Sequence, residues 1–318
     1  MTRFVKFALW TSAFAVLMAV LPFFTLLVAI LWGSSLLIGA LYLDTRKLAA
    51  LMVLNLIIVF SLAGVNNTFT LMCFFIVPAI TMSFLAQQGR DYYYLQRWGV
   101  IMAVAGVTIL LGWLYITSGD LGMEQIEQQM EAQVEETIKF YEDSGLMKLY
   151  EEQGMSPEQV KQALLSFMTA AVRHLPAFYY LQAIMAVFFM LFLASFWVQK
   201  RNLNRLIRRP FDQEIMPWQM AWVVIVGLIL WLWGRDQLSA IYYAGSNILL
   251  ISVPIALYYG LSAIVHMVRR YQGRTRRIMV IVLVVLSLLF TASAIIFLTV
   301  IGLFDSLLDY RRLRTKEE

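Results

Sequence analysis

Few side chains in this sequence have the type and spacing for chemistry. His174 and His266 stand at the ends of apolar runs, without Cys, Asp or His companions at the helical spacing a metal would need. The single cysteine, Cys73, lies inside an apolar run and closes no intrachain disulfide. There is no phosphate-cradling glycine loop, no H-E-x-x-H and no cysteine pair. The apolar runs also hold neither the Ser-His nor the Asp-Asp pair that proteolysis inside a membrane requires. An enzyme is therefore the least favoured class, and no cofactor or metal is expected.

What remains is uncharged. Asn66, Asn67, Trp113, Tyr115, Tyr179, Tyr180 and Gln182 fall near one end of the apolar runs that carry them, and together they offer aromatic faces and amides for a small pocket. The same residue types make up an ordinary aromatic belt at a membrane surface, so both readings stand. Asn55, Gln182 and Asn247 lie within or near apolar runs, where each would bind a ligand or hydrogen-bond a neighbouring helix.

The elements that position these residues are dictated by hydropathy. The chain is 61% hydrophobic and 14% charged, with a mean hydropathy of +0.72, beyond the range of soluble domains. A crossing of the hydrocarbon core takes roughly 20 mostly apolar residues. Nine segments approach that length: 4–20, 23–43, 47–64, 68–86, 98–117, 175–198, 217–234, 241–267 and 278–303, with eight crossings as the alternative count. None carries an interior Asp, Glu, Lys or Arg, and none has the alternation of a membrane barrel, so the fold class is an all-α polytopic membrane protein. Arg3 and Lys6 lie at the start of the first run, yet Leu21-Pro22-Phe23 leads straight into another run, so the first segment reads as a retained span.

Charge sets an orientation. Arg3 and Lys6, Arg46 and Lys47, Arg90 and Arg97, Lys200 to Arg209, and Arg269 to Arg277 fall on alternate loops, whereas the opposite short loops hold only Arg235. The basic side is the cytoplasm of a bacterial cell, by the positive-inside rule, with the N-terminus inside. Anionic lipid headgroups are the ordinary partner of such loops, and a net charge of +5 spread this way is no nucleic-acid signature. One conflict follows, because nine crossings put the basic tail, with Arg311, Arg312, Arg314 and Lys316, on the outside. The stretch Asp305 to Arg312 reads as a short exposed helix pairing Asp309 with Arg312.

Residues 118–173 form an acidic extracytoplasmic insert between residues 1–117, with five spans, and 174–199, with the sixth. Residues 200–318 add a basic loop, three more spans and the tail. Within the insert, Met123, Ile126, Met130, Val134 and Ile138 recur at helical steps among glutamates. A shorter helix surrounds Leu146 to Tyr150, and Ser156-Pro157-Glu158-Gln159 is a capping box that starts a third helix. In the first span, Ala8, Ser12, Ala15 and Ala19 line one face with small residues, suited to close packing inside the chain or to docking on another membrane subunit.

Three stretches carry a resemblance. They are the opening hairpin around Leu21-Pro22-Phe23, the segment from Arg209-Pro210-Phe211 to Met216-Pro217-Trp218, and the close Ile301-Gly302-Leu303-Phe304-Asp305 with Asp309-Tyr310-Arg311. With these the chain resembles the uncharacterised YybS-like bacterial integral membrane proteins, whose fold is related to the S-components of energy-coupling-factor transporters. The likeness implies substrate binding near the outer helix ends. It also implies that the small face of the first helix meets a transmembrane coupling subunit, which works with nucleotide-binding subunits. The acidic insert and the three spans after residue 210 depart from a six-helix S-component. Two roles fit: capture of a small molecule at the outer face for transport with a separate energising complex, or anchoring of a scaffold whose acidic insert recruits an extracytoplasmic partner.

Overall fold

The computed structural model describes residues 2–118, 123–201, 205–235 and 240–313. Asp120, Arg314 and Lys316, and the side chains of Met123 and Ile126, lie outside the described residues. The chain is all-α and divides into two units, 1–208 and 209–318.

The first unit contains α1 (Arg3–Val20), α2 (Thr25–Ala40), α3 (Thr45–Leu71), α4 (Val77–Gln87), α5 (Tyr92–Ser118), α6 (Met123–Asp143), α7 (Leu146–Glu152), α8 (Pro157–Arg173) and α9 (Leu175–Lys200). Between α3 and α4 the chain makes a π turn, Met72–Ile76, so that Thr45–Gln87 is one helical run of 43 residues. Straight, such a run would separate its ends by about 65 Å. Gln87 Nε2, however, donates to the carbonyl of Leu43 at 2.9 Å, so the run folds back on itself. The break is Gly64, with φ +73° and ψ −179°, a conformation that costs glycine least. The arms on either side are the separate spans expected at 47–64 and 68–86.

Polar residues tie this bundle together. Asn55 is fully buried on α3. Its amide donates to Thr11 Oγ1 on α1 at 3.0 Å and its carbonyl accepts from Trp32 Nε1 on α2 at 3.2 Å, so one side chain fixes three helices. Asn55 is thus a structural residue. The Ser34 hydroxyl lies 3.1 Å from the Met190 carbonyl, joining α2 to α9. Around these groups Leu36, Leu37, Leu48, Leu51, Met82, Leu95 and Leu191 fill the interior. Gly106 of α5 lies against the Cys73 carbonyl in the π turn, where a β-carbon would collide with backbone. Ala15 is fully buried and Ala8, Ser12 and Ala19 are half-buried, so α1 turns this small face toward the bundle and leaves Leu9, Trp10 and Val20 exposed.

The insert follows its sequence signals. The capping box closes α8, with Gln159 N–H donating to Ser156 Oγ at 3.3 Å and Ser156 N–H to Gln159 Oε1 at 2.9 Å. Val134 of α6 and Val160 of α8 are buried, and Lys161 meets Glu135 at 3.5 Å on the exposed side. Phe140, Leu149 and Phe167 remain exposed.

The second unit contains α10 (Trp218–Gly234), α11 (Ala240–Arg269), α12 (Gly273–Leu289) and α13 (Thr291–Leu308). Helices α11 and α13 cross at Gly260 and Gly302. A β-carbon on either would strike backbone of the other helix, so this contact exists only because both positions lack side chains. The single ninth span expected at 278–303 is instead two helices separated at Phe290, which has φ −123° and ψ 52°. None of the side chains of α12 is buried. Seven helical runs are long and apolar enough to cross a membrane among the described residues, the folded Thr45–Gln87 run among them, and α10 is a shorter apolar helix.

Replacing Gly302 with Val should separate α13 from α11 and lower stability by about 3 kcal/mol, the range of severe overpacking. Thermal unfolding of the detergent-solubilised protein measures it, and an unchanged midpoint would refute the close crossing.

Candidate functional site

Two groupings stand out, one in each unit. In the first unit, three of the aromatic residues expected in the pocket meet partners from neighbouring segments. The Tyr179 ring of α9 lies edge-on to Phe74 of the π turn, with centroids 5.6 Å apart. The Tyr180 hydroxyl is 2.9 Å from Thr108 Oγ1 of α5. Trp113 of α5 packs edge-on to Phe69, at 6.1 Å. The folded Thr45–Gln87 run supplies two of these contacts: the Gly64 break sets the start of its second arm, which carries Phe69, and the π turn places Phe74 against α9. Such single π turns are frequent at functional sites. Just before this turn, the Thr68 hydroxyl is buried and has no hydrogen-bond partner among the described residues.

The other expected members are less enclosed. Asn66, Asn67 and Tyr115 are exposed, and Gln182 is half-buried. Phe69, Phe74, Thr68 and Thr108 were not anticipated. Their signal in the sequence is positional, since they flank Gly64 and Pro78 or face α9 one turn below Trp113.

The second grouping was missed. Arg311 is 5% and Asp305 3% exposed, and they form an ion pair at 2.6 Å. A guanidinium has five N–H donors, and Arg311 places all of them. Nε and Nη2 reach Asp305 Oδ2, Nη2 also reaches the Glu214 carbonyl at 2.6 Å, and Nη1 reaches the Asp212 carbonyl at 2.8 Å and Ser262 Oγ at 3.0 Å. Arg269 pairs with the Asp212 carboxylate, and His266 Nδ1 lies 3.1 Å from the Asp212 carbonyl.

Local backbone explains how this is built. Phe211–Gln213 forms a short 3-10 turn that aims its carbonyls inward, and Phe211 packs on Tyr258 of α11. After α13 ends at Leu308, Asp309 with φ 43° and Arg312 with φ 52° reverse the chain so that Arg311 folds under the helix end. Asp309 Oδ1 accepts from the Leu313 N–H at 3.0 Å and holds that turn. The exposed terminal helix read at Asp305 to Arg312 is thus corrected: α13 stops at Leu308, because the buried partners of Arg311 can be reached only by a turn.

With its donors saturated, Arg311 has none left for a ligand, and the cluster is a structural lock. Asp305 Oδ1 is the one atom of the lock that is buried without a hydrogen-bond partner among the described residues. No group of three or more His, Cys, Asp or Glu side chains able to hold a metal occurs among the described residues. Outside the helices, the Lys47 hydrogen bond holds the exposed Asp44 carboxyl below its ordinary range.

Apolar helices packed through buried polar contacts and close glycine crossings define the class: an all-α, polytopic membrane protein. The family described as "Predicted membrane protein (DUF2232)" matches residues 9–306, so the chain belongs to that family of membrane proteins. No curated protein and no solved structure matches it.

Replacing Arg311 with Met should cost about 3–5 kcal/mol, because it leaves Asp305 buried without its partner charge. Adding Asp305→Leu should recover part of that loss. Denaturation of the single and double variants tests the pairing, and equal losses in both would refute it.

Proposed function

We propose that this membrane protein captures a small molecule with an aromatic or apolar body at the end of the first unit where the folded Thr45–Gln87 run, α5 and α9 meet. The observation that carries the reading is a set of three contacts made by the folded run, α5 and α9, namely Phe69–Trp113, Phe74–Tyr179 and Thr108–Tyr180, together with the buried Thr68 hydroxyl that has no partner among the described residues. Rings supply faces for stacking, and hydroxyls supply direction. Asn66, Asn67, Tyr115 and Gln182 form the rim.

On this reading the YybS-like and S-component likenesses extend to role, and uptake relies on a separate energising complex with its own nucleotide-binding subunits. That complex docks on the exposed side of α1, at Leu9, Trp10 and Val20, because the small face with Ala15 is occupied within the bundle. Trp113→Ala should weaken binding about 2- to 12-fold, the equivalent of one aromatic contact. Native mass spectrometry of molecules retained on the purified protein reads this out. Wild-type protein that retains nothing, or a variant that retains as much as wild type, counts against capture.

The orientation that fits capture puts the basic loops in the cytoplasm of a bacterial cell and the insert outside. The lock supports it: Arg311 sits at the end of the second unit that holds Asp212, Glu214 and Arg269, so the chain after α13 reaches the basic side at Arg311, as the positive-inside rule asks. In a Cys73→Ser background, an impermeant maleimide should label Ser144→Cys in intact cells and should label Arg274→Cys only after lysis. The reverse pattern would invert the topology.

A second reading has its own observation. Phe140, Leu149 and Phe167 are 61%, 53% and 70% exposed on the acidic insert, as a recruiting surface would be. Deleting residues 120–172 abolishes function under that reading and leaves ligand retention intact under capture.

A further inference from the structure

Helix α12 is a 17-residue helix none of whose side chains is buried, and no polar face interrupts it after Arg277. A helix that is apolar all round belongs in hydrocarbon. Its beginning is the opposite: Arg274, Arg276 and Arg277 crowd the first turns, Arg270 lies just before them, all four are exposed, and the first turn holds no acidic residue. Cations at a helix N-terminus face the positive end of the helix dipole, so an anion is what the local electrostatics lack. One open face of the helix there presents Gly273, Arg276, Arg277, Val280 and Ile281 together. These positions follow helical spacing, placing two guanidiniums one turn from two aliphatic side chains on the same face. Open space beside Gly273 leaves this face unobstructed at its charged end.

We infer that this face of α12 is a binding site for an anionic phospholipid. The phosphate sits between Arg276 and Arg277, and an acyl chain lies along Val280 and Ile281. The match is in order as well as in charge, because headgroup and chain must be adjacent in the same sequence along the membrane normal as the arginines and the aliphatic residues are along the helix. A soluble anion would use the arginines and leave Val280 and Ile281 without a role. A neutral lipid would leave the arginines without one.

The test uses full-length protein reconstituted in nanodiscs of equal parts phosphatidylglycerol and phosphatidylcholine, extracted gently, with retained lipids counted by native mass spectrometry. Wild-type protein should keep phosphatidylglycerol over phosphatidylcholine. R276A/R277A should lower that preference roughly thirty-fold, as expected for two lost arginine–headgroup attractions, while R46A, on a different basic loop, keeps it. Equal retention of both lipids by wild type, or undiminished preference in R276A/R277A, overturns the site. So does complete release of phosphatidylglycerol by millimolar inorganic phosphate, which would mark a soluble-anion site. Should the double variant fail to fold, a salt titration of wild type decides: the preference must fall as ionic strength rises, and a salt-independent preference overturns the proposal.

Discussion

Polar groups that fold away from water must find partners inside the chain, because hydrocarbon supplies none. In each unit that demand is met by a few side chains that bridge distant segments. Asn55 unites α1, α2 and α3 through Thr11 and Trp32, and Arg311 gathers Asp305, Ser262 and the carbonyls of Asp212 and Glu214. Apolar packing fills the space between helices and tolerates small sliding. The bridges do not, since a shift of a few ångströms leaves a buried donor unpaired, which costs about 1–3 kcal/mol for a neutral group and more for a charge. They therefore set the register to which the glycine crossings and the aliphatic core conform.

The same demand bears on where a ligand would act. The lock in the second unit uses up its donors and offers little to a small molecule. The aromatic grouping in the first unit is built differently, with rings meeting edge to face and the buried Thr68 hydroxyl without a partner among the described residues. Such a place can exchange an internal contact for one with a ligand at small cost. That asymmetry, more than the identity of any residue, is why capture is assigned to the first unit.

Much of the fold was legible in the sequence, because hydropathy and caps act locally. The apolar runs, the capping box at Ser156 and the short helix after Gly145 all follow from neighbours within one or two turns. The fold-back at Gly64 falls where one expected span ends. The break at Phe290 was invisible, since no Gly or Pro marks it and Val285 to Thr299 reads as continuous apolar sequence. Arg311 was hidden for a different reason. Charged residues past the end of an apolar run read as solvated, and nothing local reveals partners 49 and 99 residues away. The stretches 209–218 and 301–311 both stood out separately, yet only the fold shows that they touch. At the aromatic cluster, residue types were readable, whereas Thr68, Phe69 and Phe74 depend on which way the π turn and the fold-back aim them, and Thr108 on how α5 meets α9.

The distance between Asp212 and Arg311 also has a meaning in time. A ribosome makes residue 212 first and needs 99 further residues before the guanidinium that receives its carbonyl exists. Throughout that interval α10 and α11 enter the membrane without the guanidinium that will join Asp212, Glu214 and Ser262 to Asp305. The second unit is therefore completed only when α13 and the turn after it arrive. A chain cut short before that turn would leave the Asp305 carboxylate without its partner charge, a mark by which cellular quality control could tell an unfinished copy from a finished one.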